Sequence, residues 1–392
     1  MTKLKTLSKP NSVYGIDGIE PNALEQFIDC MHPEFSVAGA AMPDMHLGYT
    51  MPIGGVILTD ENTIVPSWVG YDIGCGVFSI ETSFRVVDIR DNAKAIFDAI
   101  YRRIPVGYKH NAHPQDTGLL MERPVSDWMK KNFIERGGAK QLGTLGGGNH
   151  FIEIGYGYNN HVHISIHSGS RGIGHDTASH YMRYAAELAT GKPKLIEGSF
   201  PLRRDSREGV DYHLDMDFCL AFALMNRKRI AQQVIQALHD VDVGGAGAWN
   251  DYINRNHNHA EFRTTPFGKG WIHRKGATHA EQGMLGVIPG NMRDGVFIVE
   301  GRGCPDSLYS SSHGAGRIGS RVGAGLKKAP MVERLQALDT FRVQMEGVQA
   351  KIELDTLDEN PMAYKPIGRV LEDQRDLCSI EDHITPIINI KA

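Results

Sequence analysis

An aspartate and a cysteine stand three residues apart in a glycine-punctuated turn, Asp72 and Cys75 of VGYDIGCG (residues 69–76). Together they offer one metal ion a hard carboxylate and a soft thiolate. A buried cysteine beside a turn-forming aspartate would read the same way, and the segment alone does not choose. Further on, GTLGGGNHFIE (residues 143–153) is a glycine loop running into Asn149, His150 and Glu153. Backbone N–H groups in such a loop can approach an anion. It has neither the Gly-Lys-Ser/Thr of a Walker A loop nor a GxGxxG opening a βαβ unit. In HVHISIH (residues 161–167) alternation sets His163, Ser165 and His167 on one face and Val162, Ile164 and Ile166 on the other. A solvent face explains His163 equally well. His167 differs, because it stands at the mouth of SGSRG (residues 168–172), a donor-rich turn suited to a phosphate. NRNHNH (residues 254–259) reads as a polar, loop-like run carrying His257 and His259. SSSHGAGRIGSR (residues 310–321) sets His313 among hydroxyls and glycines, ahead of two arginines. On a helix Arg317 and Arg321 would share a face as a phosphate clamp. A histidine flanked by phosphate binders can serve as acid, base or covalent nucleophile. The whole set points to metal-dependent chemistry on a phosphate.

These groups need a scaffold, and 392 residues with 41% apolar and 22% charged side chains describe a globular chain. Apolar spacing predicts helices over residues 91–104, capped by Asp91 and stopped by Pro105, and over residues 176–190, 214–239 and 331–345. Strands are predicted over residues 55–58, 77–84, 161–167 and 296–299. Without a regular βαβ period or an internal repeat, this is one mixed α/β domain, with residues 192–209 as an exposed excursion. Five scattered cysteines argue against a disulfide framework. No apolar run approaches the roughly 18 residues of a membrane helix, and the opening MTKLK lacks a signal-peptide core, so a cytoplasmic protein is expected. A net charge of −4 excludes a broadly basic nucleic-acid coat but not a local basic groove.

From Met42 onward the chain resembles the RtcB family of RNA-splicing ligases. The resemblance rests on MPDMHLG (42–48), VGYDIGCG (69–76), LGTLGGGNHFIE (142–153), HSGSRGIG (167–174), His257-Asn258, RKGA (274–277), HGAGR (313–317), PMAYK (361–365) and Lys391. It implies an α+β fold with a central β-sandwich-like core flanked by helices, forming a single catalytic domain over residues 1–392. It also implies a GTP- and Mn²⁺-dependent ligase for tRNA splicing or RNA repair, joining RNA 2′,3′-cyclic phosphate or 3′-phosphate ends to 5′-hydroxyl ends. Carried over, Asp72, Cys75, His150, His167 and His257 would hold two manganese ions, with Cys75 bridging them. His313 would take up GMP. Asn149, His150, Phe151, Ile152, Glu153, His257, Asn258, Pro289, Gly290, Asn291, Met292, His313, Gly314, Ala315, Gly316 and Lys391 would surround the nucleotide. Arg171, Arg317 and Arg321 would meet RNA phosphates, with Lys275 a weaker candidate; Asp44 and His46 lie in a family motif with roles open. Two departures bear on nucleotide preference: Asn291 and Val296 stand where the family usually has serines. The competing readings are a manganese-dependent phosphoesterase that opens cyclic phosphates without ligating, and a catalytically silent RNA- or nucleotide-binding homologue.

Overall fold

Strands Gly76–Thr82, Phe151–Tyr156 and Val162–Ser168 carry an apolar residue at nearly every second position. Those residues, among them Phe78, Ile80, Ile152, Ile154, Ile164 and Ile166, meet Ile230, Val234 and Leu238 of one helix and Ile96 and Ile100 of another. The structure, a computed structural model, describes residues 1–192, 197–319 and 321–392, and of Arg321 and Val322 the backbone alone. It is mixed α/β, as its sequence predicts.

Two large sheets dominate. One runs Leu285–Pro289, Val296–Gly301, Cys378–Ile390, Phe151–Tyr156, Val162–Ser168, Gly76–Thr82, Gly247–Asn256, with Gln349–Ala350 paired beside Cys378–Ile390. The other runs Asn11–Val13, Ser36–His46, Ile53–Thr59, Gly268–Lys275, Asn258–Thr265. The chain passes from the first to the second through one residue, His257. Register then brings sequence-distant positions together: Gly76 faces Ser168 and Asn256, and His167 faces both Val77 and Phe151.

The 33-residue helix Arg207–His239 is about 50 Å long at 1.5 Å per residue and braces this junction from behind. Its apolar stripe is interrupted at Asn226 and Arg227, both fully buried. The Asn226 carboxamide accepts from Gly143 N (2.7 Å) and Thr144 N (3.3 Å) and donates to Thr144 O, Ser168 Oγ and Gly169 O. Arg227 donates to Gly74 O (2.9 Å), Ser168 O (2.8 Å) and the side-chain oxygens of Asn254 and Asn256. A polar pair inside a helix thus fixes the glycine loop and the Asp72–Cys75 turn. Asn226→Ala strands several buried partners, so an unfolding free energy lower by about 2–4 kcal/mol is expected in urea denaturation. A loss under about 1 kcal/mol would mean that water replaces the amide.

Several local expectations shift. The helix read as residues 176–190 begins at Arg171, because Gly172 and Gly174 hid its first turn; SGSRG is a helix entrance. Asp91 closes a short helix, Val86–Asp91, and Asn92 precedes Ala93–Arg103. The 214–239 helix starts at Arg207 with Ser206 as N-cap, its hydroxyl accepting from Gly209 N. Within the 192–209 segment Leu202 is buried and pairs with Ile64, while residues 193–196 lie outside the described ones. The run 254–259 is strand on either side of His257, and the polar face of the 161–167 strand is buried.

Candidate active site

The turn after Pro66–Val69 and the start of strand Gly76–Thr82 present Asp72 and Cys75 to residues arriving from three other strands. His150 Nε2 lies 3.0 Å from Asp72 Oδ2 and 3.4 Å from Cys75 Sγ. His167 Nε2 lies 3.1 Å from Cys75 Sγ and 3.3 Å from His257 Nε2. His150 and His167 each donate Nδ1–H to a backbone carbonyl, of Leu145 (3.0 Å) and Asn149 (3.2 Å). With a cation in place of the proton His150 can share with Asp72, both Nε2 atoms would present their lone pairs to a common point. Cys75 Sγ, His150 Nε2 and His167 Nε2 lie close enough together to serve as ligands of one cation, with His257 Nε2 3.3 Å from His167 Nε2 at its edge. Burial pushes the Cys75 thiol well up and the His167 and His257 imidazoles well down. Burial also works against an ionised Asp72, but the His150 contact and Arg171 outweigh it and hold that carboxyl below its ordinary range.

Beyond His167 opens a cavity of about 530 Å³, of a size suited to a nucleotide-like ligand. His313 sits in its wall, 4.7 Å from the His257 ring. Fully buried Asp44 fixes it: Oδ2 accepts from His313 Nδ1 (2.7 Å), His313 N (3.1 Å) and Gly314 N (3.3 Å). With Nδ1 protonated toward Asp44, Nε2 keeps its lone pair. Lys365 holds the Asp44 strand through the carbonyls of Pro43 (3.1 Å) and Met45 (2.8 Å). His46 lies on the wall, donating Nδ1–H to Asp44 O (2.9 Å), with burial holding its pKa down to about 4. Glu153 also lines the cavity; its buried Oε1 has no hydrogen-bond partner among the described residues, and its Oε2 accepts from Asn389 (3.0 Å). Burial raises its pKa to about 8, against Asn389 and Lys391. Lys391 is brought alongside because Ile390 pairs with Ile152 at the end of the last strand.

Most of the nucleotide set lines this cavity: Asn149, Phe151, Glu153, Pro289, Gly290, Asn291, Met292, His313 to Gly316 and Lys391. Others do not. Ile152 points into the core behind the sheet, and His150 and His257 stay with the metal cluster. Asn258 donates to Asp72 O and accepts from Gly276 N, so its amide fixes the turn. Asn291 turns its carboxamide onto Arg293 N, Asp294 N and Asp294 Oδ2. Val296 is buried with Val77 and Phe151.

Arg171, at φ 60°, spans Thr144 Oγ1 (3.1 Å) and Gly107 O (2.8 Å), tying the helix entrance to the glycine loop. Arg317 forms a bridge with Tyr364 rather than a helical turn, so it shares no helix face with Arg321. Its guanidinium is taken up by Glu359, Asp358 O and the Tyr364 hydroxyl. The Arg321 side chain lies outside the described residues. Lys275 is buried and donates to Met51 O (2.8 Å). Glu359, which bonds Arg317, Lys391 and Tyr364 at once, escaped sequence reasoning; its only signal is two positions before PMAYK.

A cavity of nucleotide size closed at one end by a cluster fit for a metal defines a class: a metal-site enzyme with a histidine held ready in its wall. The chain belongs to the RtcB family, whose model, described as tRNA-splicing ligase RtcB, matches residues 29–134 and 112–392. It is 33% identical to the RNA-splicing ligase RtcB of Escherichia coli K12, covering 95% of each chain. It is 30% identical to the tRNA-splicing ligase RtcB of Aeropyrum pernix over 84% of this chain and 82% of that one. Its identity to the tRNA-splicing ligase RtcB of Thermococcus kodakarensis is 29% over 94% and 91%.

Proposed function

We propose that the protein is an RNA ligase that joins 2′,3′-cyclic phosphate or 3′-phosphate ends to 5′-hydroxyl ends, with GTP as second substrate and two manganese ions. The observation that carries this is the Asp44–His313 pair, a buried carboxylate that leaves one imidazole nitrogen free as a nucleophile in the cavity wall. His313 Nε2 attacks the α-phosphorus of GTP; the N–P bond forms as the α–β anhydride breaks and pyrophosphate leaves. An oxygen of the RNA 3′-phosphate next displaces His313, taking GMP, and the 5′-hydroxyl oxygen then attacks the 3′-phosphorus and releases GMP. A cyclic end must first take up water. Asp72, Cys75, His150, His167 and His257 would hold the manganese, which supplies charge neutralisation and alignment for in-line displacement.

The orphaned Glu153 Oε1 suits guanine, whose N1–H and exocyclic amine both donate. Since that oxygen must be ionised to accept both, GTP affinity is expected to rise between pH 6 and 8 as the proton held with a pKa of about 8 leaves. Glu153→Gln should weaken GTP binding roughly 10- to 100-fold and flatten that pH dependence, measured by calorimetry. An unchanged profile would remove Glu153 from guanine recognition. We assign the reaction to the cytoplasm, where five unpaired cysteines stay reduced; among the described residues no helix is long and apolar enough to cross a membrane.

The direct test is joining of a labelled 3′-phosphate RNA to a 5′-hydroxyl RNA with GTP and Mn²⁺. Hydrolysis of cyclic ends without joining would favour the phosphoesterase reading; binding without either reaction would favour the silent homologue.

A further inference from the structure

Next to Asp72 three rings touch in series. Tyr71 stacks on His175 with centroids 5.2 Å apart and planes 21° from parallel, and Tyr49 meets Tyr71 edge-on at 5.4 Å. Tyr49 is 66% exposed, and its neighbour Leu47 is also open to solvent. The loop that presents Tyr49 is nevertheless braced. Gln26 accepts from Gly48 N (3.0 Å) and donates to the carbonyls of Gly48 (2.9 Å) and Tyr49 (3.3 Å), and buried Lys275 holds Met51 O from beneath. Fixing an exposed aromatic ring gains little for the fold, whereas a ring already ordered loses little freedom when a ligand covers it.

The surroundings suit a flat, anionic polymer. Arg183, one face along the helix Arg171–Thr190, donates to Ser179 O and has no carboxylate partner among the described residues. The acid nearest His175 is Asp176, which Arg136 neutralises at 2.5 Å; Glu197 also faces Tyr71. Five positions beyond His175, His180 stacks on Trp128 at 4.1 Å with planes 7° apart. Five residues turn the helix through a net angle of about 140°, so this second stack lies on another side of the helix from His175. The helix entrance, at Arg171, abuts the Asp72–Cys75 turn, and the three rings adjoin that turn through Tyr71.

We propose that Tyr49, Tyr71 and His175 form a platform on which unpaired bases of the RNA stack beside the end being joined. The proposal rests on the ligase reading for its occupant. Base–aromatic stacking is tolerant of sequence, as an enzyme that acts on ends requires.

The test is fluorescence anisotropy with the full-length protein and two short single-stranded RNAs, one ending in a 3′-phosphate and one beginning with a 5′-hydroxyl, without GTP. Tyr49→Ala should raise Kd roughly 5- to 100-fold for at least one of the two, and Tyr49→Trp should restore it. His175→Ala should shift the same RNA. GMP-adduct formation by Tyr49→Ala should match the wild type, showing that the variant folds and that the chemistry is untouched. Equal affinity of Tyr49→Ala and wild type for both RNAs, or no binding of either by the wild type, overturns the platform and leaves the patch to a protein partner. Absence of the adduct in the wild type would instead overturn the ligase reading, while the anisotropy comparison still reports on the platform.

Discussion

Incubated with GTP and Mn²⁺, the protein is expected to gain the mass of one GMP, and His313→Ala to gain none. The reason is local. Among the described residues no other histidine on the cavity wall has a fully buried carboxylate locking its Nδ1, and that carboxylate holds His313 at ring and backbone and the next backbone N–H, of Gly314. Asp44→Asn separates nucleophile from orientation. An amide can present an N–H where Oδ2 was, turning the imidazole to the other tautomer and protonating the nitrogen that must attack. By analogy with carboxylate-to-amide changes behind catalytic histidines, the rate of adduct formation should fall on the order of 10³- to 10⁴-fold. GTP binding, measured separately, should change far less. An adduct in His313→Ala would move the nucleophile elsewhere; a wild-type rate in Asp44→Asn would leave Asp44 a purely structural role.

The second large effect is expected at Cys75. Its sulfur lies within 3.4 Å of both His150 and His167, so it is the shared point of the cluster. Cys75→Ser substitutes a hydroxyl that does not ionise in this range for a thiolate, and manganese affinity should drop at least about 100-fold, with ligation activity following. The fold should survive. The backbone of residue 75 still accepts from His257 N and donates to Asp72 O. Because the wild-type thiol must lose its proton on metal binding, manganese affinity should rise with pH; that slope should shrink in the serine variant. Metal titration of the stripped proteins at several pH values reads both effects, and undiminished affinity in Cys75→Ser would remove the thiolate from the site.

Legibility in the sequence followed spacing. Asp72, Cys75, His150 and His167 were legible as candidates because each stands in or beside a glycine-rich turn, whereas His257, in the glycine-free run NRNHNH, was singled out only by the family resemblance. The roles of Arg171 and Arg317 were not readable as such. A cation near phosphate-binding glycines looks free in a sequence, and only the fold shows Arg171 bonded to Thr144 and Gly107 and Arg317 facing Glu359. Asn226, Arg227 and Glu359 stayed hidden because they lie far along the chain from the groups they hold. The helix entrance at Arg171 was masked by Gly172 and Gly174, which lower helix propensity just where tight packing admits them. The burial of His163 and Ser165 was equally invisible, since alternation cannot tell a wet face from one covered by a second layer.

The passage of the chain through His257 has a consequence for assembly. Asp72, Cys75, His150 and His167 are gathered by paired strands of one sheet, and His257 closes the group where the chain leaves that sheet for the other, so their encounter depends on pairings far apart in sequence. Unlike a short finger that wraps its ion while still unfolded, this chain would offer a metal only scattered single groups until strands Gly76–Thr82, Phe151–Tyr156 and Val162–Ser168 have paired. On the proposed reading, loading follows the pairing of those strands, and the choice among competing ions falls to a formed cage instead of a nascent chain.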